Sequence, residues 1–232
     1  MKVQVLADAE AVAREGARFV AELARVAAAE RGCVTLALSG GETPWKMLRA
    51  LSAEDVPWDK VHIFQVDERI APDGDPLRNL THLHDSLLAN LELSPNQVHA
   101  MPVQQDDLDA AATRYASDLA TIAGSPPVLD LVHLGLGSDG HSASLVPGDP
   151  VLQVGDRDVA VTGDYQGTRR MTLTYPLINR ARQILWLATG ESKAPMLSRL
   201  YHGDPDIPAG RVRANRATLL ADGAAARLLK AT

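Results

Sequence analysis

Apolar positions along this chain fall into two repeating patterns. Short, nearly continuous apolar runs alternate with longer stretches in which apolar residues recur at helical spacing. The runs at 3–6, 33–38, 61–66, 98–101, 128–134, 159–162, 170–175, 184–188 and 217–220 read as strands. Several are apolar throughout, the pattern of parallel strands covered on both faces. In the run at 170–175, Arg170, Thr172 and Thr174 share one face and Met171 and Leu173 the other.

Between the strands the period lengthens. Asp8 is positioned to cap a helix whose face carries Val12, Gly16, Phe19, Leu23 and Val26, and Gly32 stops it. Thr43 as N-cap and Pro44 as first helical residue open a second helix over 45–51. Further helices are expected over 81–90, over 107–122, around Lys193, and at the Ala-rich end of the chain. Strands alternating with helices of this length predict an α/β fold: a doubly wound, mostly parallel sheet with helices on both faces. No repeat and no linker interrupts it, so residues 1–232 are expected to form one domain.

In such sheets ligands bind beyond the carboxyl ends of the strands. Four strand ends carry unusual residues: Ser39-Gly40-Gly41-Glu42-Thr43, Asp67-Glu68-Arg69, Gly135 to His141, and Gly190 to Lys193. If the strands are parallel, all four open on one edge. Ser39-Gly40-Gly41 with Thr43 at a helix start suits an anion, because glycines let backbone N–H groups approach closely and the helix N-terminus is partly positive. The plain alternative is a tight turn with a capping threonine. It is neither a P-loop nor a dinucleotide fingerprint. Arg69, Arg170 and Lys193 each suit a phosphate, or equally a neighbouring carboxylate or open solvent. In Gly135-Leu136-Gly137-Ser138-Asp139-Gly140-His141, a carboxylate lies two residues from an imidazole, the side chain that exchanges protons near neutral pH. Ser142 and Ser144 lie in no nucleophile elbow. Asp139 and His141 lack the further ligands a metal site needs.

Composition narrows the partners. The chain has 232 residues, 46% hydrophobic and 22% charged, with a net charge of −6. That is enough apolar sequence for a core without disulfides. The acidic balance argues against non-specific nucleic-acid binding. The first residues lack the apolar stretch of a signal peptide, and no window has the roughly 18 apolar residues needed to span a bilayer. A soluble, cytoplasmic protein is expected. The single cysteine, Cys33, reads as a reduced, buried thiol.

Taken in order, Ser39-Gly40-Gly41-x-Thr43-Pro44, Val66-Asp67-Glu68-Arg69, Gly135-Leu136-Gly137-x-Asp139-Gly140-His141-x-Ala143-Ser144-Leu145-x-Pro147-Gly148, Arg170 to Thr174 and Gly190-x-x-Lys193-Ala194 resemble the 6-phosphogluconolactonases. That family is related to glucosamine-6-phosphate deaminase/isomerases and to sugar-phosphate-sensing domains. The resemblance implies a Rossmann-like fold of the sugar-phosphate isomerase type. It implies hydrolysis of 6-phosphoglucono-δ-lactone, a small sugar-phosphate lactone as partner, no metal and no organic cofactor. It places Ser39, Gly40, Gly41, Thr43, Arg69 and Lys193 around the phosphate, with Arg170 a weaker candidate. His141 would be the catalytic base, with Asp139 or Asp67 orienting the imidazole or the water. Asn79, Gly135 and Gly137 would line the substrate. Whether the chain is a monomer or a weak homodimer is left open.

Two positions depart from the resemblance. Relatives often carry Ser-Asn where this chain has Arg78-Asn79, and phenylalanine where it has Val146. The deaminases place a glutamate at the position of Val146, so an apolar residue there speaks for the lactonase. A non-catalytic sensor would normally carry a DNA-binding segment, which this acidic chain does not show.

Overall fold

The computed structural model describes residues 1–229. Among these, the strands in chain order are β1 (Lys2–Leu6), β2 (Val34–Leu38), β3 (Val61–Gln65), β4 (Asp67–Arg69), β5 (Val98–His99), β6 (Leu131–Gly135), β7 (Val159–Val161), β8 (Arg170–Leu173), β9 (Gln183–Ala188) and β10 (Ala217–Asp222). Seven of them form one sheet in the order β1-β10-β9-β6-β2-β3-β5, parallel at every pairing. The expected doubly wound α/β sheet is present. The winding reverses between β2 and β6, which lie side by side at its centre. Ligand clefts open at such switch points.

The helices are α1 (Ala9–Arg31), α2 (Glu42–Leu51), α3 (Asn79–Ser86), α4 (Leu108–Ala123), α5 (Tyr175–Arg180), α6 (Ala194–Tyr201) and α7 (Gly223–Ala226). Strand residues alternate between two apolar layers. Leu36, Leu185 and Leu187 pack under α1 and α2, whereas Ala37, Ile184 and Trp186 pack on the opposite side with α4, α5 and α6. Fully burying one such Leu or Ile side chain stabilises the fold by roughly 1.5–3 kcal/mol.

Strands 159–162 and 170–175 do form, as β7 and β8, but outside the main sheet. With β4 they make a second, antiparallel sheet ordered β4-β8-β7. Val66 is the hinge between the two. Its N–H donates to the Leu38 carbonyl in the parallel sheet at 3.1 Å, and its carbonyl accepts from Leu173 of β8 at 2.8 Å. Asp67-Glu68-Arg69, expected as the end of the strand at 61–66, is therefore a separate short strand at the edge of the main sheet.

Other local expectations shift. Asp8 caps α1, accepting from the Ala11 N–H at 2.8 Å, and Gly32 closes it with φ +69°. The buried face, however, is Val12, Ala13, Gly16, Ala17, Val20, Ala21, Ala24 and Ala27, while Val26 is 46% exposed. Close packing selects the small residues. A Cβ on Gly16 would lie 3.1 Å from the Met47 side chain of α2. Gly41, not Thr43, is the N-cap of α2. The helix expected at 81–90 is α3 plus a separate 3₁₀ turn, Leu88–Asn90. Cys33 precedes β2 and is partly exposed rather than buried.

Candidate active site

At the carboxyl edge of the main sheet lies a cleft of about 670 Å³. It is lined by Ser39, Gly40, Gly41, Thr43, Asp67, Arg69, Asn79, Gly135, Gly137, His141, Arg170 and Lys193, among others. All four unusual strand ends thus meet in one place. Asp139 stands behind His141, bonded to its ring.

The β2 turn is built for close approach. A Cβ on Gly40 would sit 2.1 Å from the Asn79 amide oxygen. Gly41 takes φ +125°, in the region that favours glycine. The Ser39 N–H points at Nδ1 of His133, 3.4 Å away beneath the turn. Thr43 does not cap. Its hydroxyl meets that of Thr189 at 2.6 Å, tying the β2 turn to the end of β9. There Gly190, with φ +88°, donates its N–H to the Asp222 carboxylate at 3.0 Å. That bond orients the 3₁₀ turn Glu191–Lys193, and Lys193 immediately precedes α6 rather than lying inside it.

Two arginines face each other on the second sheet. Arg69 of β4 and Arg170 of β8 are directly paired in register. Like charges placed opposite one another oppose pairing. The Nε of each is buried without a partner among the described residues. Burial, then the neighbouring Arg69, push the Arg170 guanidinium below its ordinary pKa. Such a pair suits an anion entering the cleft.

Glu68, between these positions, has a different task. It is fully buried and accepts from the N–H groups of Arg69, Asn79 and Leu80, and from the Gln65 amide. It also forms an ion pair with Arg78 at 3.0 Å. The carboxylate thus satisfies the open N-terminus of α3. Arg78, the departure noted in the sequence, is its counter-charge rather than a cleft residue.

The loop after β6 carries the titratable pair. The Gly137 N–H donates to the His141 carbonyl at 2.8 Å, folding the loop back on itself. Nδ1 of His141 lies 2.6 Å from Asp139 Oδ1. A carboxylate only accepts, so Nδ1 is the donor in this contact and Nε2 is the ring nitrogen left out of it. The other oxygen, Oδ2, accepts from the Tyr165 hydroxyl at 2.8 Å. Burial pushes the Asp139 carboxyl up, but the Tyr165 hydrogen bond and the adjacent His141 outweigh it and hold it below the usual range. Asp67 does not share this role. It is 5% exposed and accepts from Ser144 Oγ at 2.6 Å and from the Asn79 amide at 3.2 Å. Burial raises its pKa against the opposing Ser144 bond and Arg69 charge. Of the two aspartates, Asp139 is the one hydrogen-bonded to the His141 ring. Among the described residues no three His, Cys, Asp or Glu side chains cluster as metal ligands would.

Sequence reasoning missed Tyr165, Thr189, Asp222 and the purpose of Glu68. Tyr165 lies in a polar turn with no local signature, and Asp222 ends an apolar strand. Only the strand-end position of Asp222, shared with the four motifs, could have drawn attention to it.

The cleft of this doubly wound sheet joins a glycine-rich turn to a histidine bonded to a carboxylate. The chain belongs to the glucosamine-6-phosphate isomerase/6-phosphogluconolactonase family, whose pattern matches residues 7–221. Its relatives in sequence include 6-phosphogluconolactonases. It is 41% identical over 184 residues to a 6-phosphogluconolactonase of Synechocystis sp., covering 78% of this chain and 76% of that one. It is 38% identical over 242 residues to the 6-phosphogluconolactonase of Mycobacterium tuberculosis, covering 97% and 98%. The solved structure of 6-phosphogluconolactonase from Trypanosoma cruzi superposes with a TM-score of 0.88 at 25% identity, over 99% of this chain and 97% of that one.

Proposed function

We propose that this chain hydrolyses 6-phospho-D-glucono-1,5-lactone to 6-phospho-D-gluconate, the lactone-opening step of the oxidative pentose phosphate pathway, with His141 as general base on water. The observation that carries the reading is the Asp139–His141 pair at 2.6 Å, in the same cleft as Arg69, Arg170 and Lys193.

The chemistry follows from the geometry. Asp139 fixes the tautomer that leaves Nε2 free to take a proton. A water attacks the lactone carbonyl as Nε2 removes its proton. The tetrahedral adduct collapses, the bond to the ring oxygen breaks, and the imidazolium returns the proton to that oxygen. No covalent enzyme intermediate is needed, because a lactone is already an activated acyl group. The phosphate, remote from the reacting carbon, is held by the Ser39–Gly41 turn, Thr43, Arg69 and Lys193. Its binding energy positions the carbonyl against His141. Asn79, Gly135 and Gly137 shape the wall beside the sugar.

Val146 is 3% exposed and outside the cleft lining. No carboxylate reaches the histidine from that position, which favours lactone opening over deamination. Among the described residues no helix is long and apolar enough to cross a membrane. The cytoplasm is the proposed compartment.

A coupled assay on freshly generated 6-phosphogluconolactone, corrected for spontaneous hydrolysis, tests the reading. His141→Ala is expected to lower kcat by about 10²–10⁴-fold, the usual contribution of a general base, with inhibition by inorganic phosphate retained. Ammonia release from glucosamine 6-phosphate at a matching rate, or normal turnover by His141→Ala, would overturn it.

A further inference from the structure

We propose that Tyr165 is a positioning residue: its hydroxyl locks the Asp139 carboxylate that orients His141, and its ring carries Arg170 into the same cleft. The inference rests on His141 acting as the base.

Four contacts converge on this side chain. The hydroxyl donates to Asp139 Oδ2 at 2.8 Å, while Asp139 Oδ1 faces His141 Nδ1 at 2.6 Å. The Gln166 amide donates to the same hydroxyl at 3.3 Å, so the oxygen is supplied with a donor and its own proton is directed to Asp139. The ring meets His141 edge-on at 5.7 Å and stands under the Arg170 guanidinium at 4.9 Å.

The backbone makes the placement rigid. Tyr165 and Thr168 exchange backbone hydrogen bonds at 3.1 and 3.4 Å. Gln166 and Gly167 between them take φ +55° and +81°, the two positive values of a type I′ turn. The Asp164 side chain accepts from the Gly167 N–H at 3.1 Å. Gln166 is not a glycine, so its left-handed backbone is mildly strained and is held by the surrounding bonds. The turn projects from β7 and β8, and β8 itself delivers Arg170. One hairpin therefore sets both the carboxylate behind the histidine and a cation in the cleft.

A donor on Asp139 has a definite electrostatic effect. A hydrogen bond to Oδ2 draws off part of the charge that would otherwise hold an imidazolium. Without it the carboxylate favours the protonated ring more strongly, and the free base forms at higher pH. The titratable and charged groups that touch His141 or share its cleft are Asp139 on its own loop, Tyr165 from the hairpin, Arg170 from β8, Asp67 and Arg69 from β4, Lys193 from the turn before α6, Glu42 of α2 and Asp222 of β10. Among the described residues only Asp139 and the loop backbone hydrogen-bond to it, so the Tyr165 hydroxyl acts through that carboxylate.

The test is the pH profile of kcat/KM for the wild type, Tyr165→Phe, Asp139→Asn and the double variant, with thermal melts for each. Phenylalanine keeps the ring under Arg170 and removes only the hydroxyl. Tyr165→Phe is expected to lower kcat about tenfold, the scale of one hydrogen bond to a charged group. Its acidic limb should move to higher pH, with KM and melting temperature close to wild type. In the Asp139→Asn background the same substitution should cost nothing further. A Tyr165→Phe profile that overlays the wild type, a fall in kcat with the acidic limb unmoved, or additive losses in the double variant would each overturn the proposal. A wild-type chain that does not open the lactone would instead remove the functional reading beneath it.

Discussion

Arg69 and Arg170 stand directly opposite one another on antiparallel strands, each with a buried Nε that has no partner among the described residues. Two guanidiniums paired in this way repel, and an anion entering the cleft would neutralise both. Arg69 already spends one N–H on the Leu77 carbonyl at 2.6 Å, which aims the rest of its fork.

Relief of that repulsion gives the first prediction. Arg69→Ala should raise KM for the lactone by roughly tenfold or more, the scale of one charge-assisted hydrogen bond. Inhibition by inorganic phosphate should weaken in parallel, with the melting temperature unchanged or higher. Steady-state kinetics with phosphate as inhibitor checks it. An unchanged KM together with unchanged phosphate inhibition would show that Arg69 does not hold the anion.

Gly137 gives the second. A Cβ there would lie 2.1 Å from Nδ1 of His141 and 2.6 Å from Asp139 Oδ1. Gly137→Ala must push the imidazole off its carboxylate. The expected result is a native-like circular dichroism spectrum with kcat reduced by about 10²-fold, since small displacements of catalytic groups are costly. Wild-type turnover by this variant would mean that the loop tolerates displacement and the orientation is unimportant.

His133 gives the third. It is fully buried beneath the Ser39 turn, and burial pushes its pKa down to about 3. A depressed folded value means that the native state binds this proton less readily than the unfolded chain does. His133 therefore costs nothing well above the ordinary histidine value of about 6.5, and drains stability as pH falls from there towards 3. Denaturant melts across that window should show a slope approaching roughly 1.4 kcal/mol per pH unit from this residue. His133→Gln, which keeps an acceptor for Ser39, should lose that part of the slope. Identical slopes in the two proteins would count against it.

Much of this was legible in the linear pattern. The parallel strands announce themselves as mainly apolar runs, because a strand covered on both faces has little room for unpaired polar groups. The residues of the cleft announce themselves as interruptions of that pattern at strand ends. Errors came where packing, not periodicity, decides. The α1 face turned towards its alanines, because Gly16 and its neighbours let α2 approach. Asp67-Glu68-Arg69 became a strand, because β8 arrives from about a hundred residues further along to pair with it.

By itself, then, the order of residues determined the alternation of strands and helices, the mostly parallel class of the sheet, and the edge on which Ser39, Arg69, His141 and Lys193 would meet. Those properties follow from local periodicity and from the rule that parallel strands share one carboxyl edge. Tertiary structure alone decided which carboxylate serves the histidine. Asp67 and Asp139 are chemically equal, and only the fold turns one towards Ser144 and Asn79 and the other towards His141. It also decided that Glu68 caps α3 and balances Arg78, and that Tyr165 reaches back to Asp139. A hydrogen bond between residues far apart in the chain leaves no trace in spacing, because its geometry depends on the packing of every element between them.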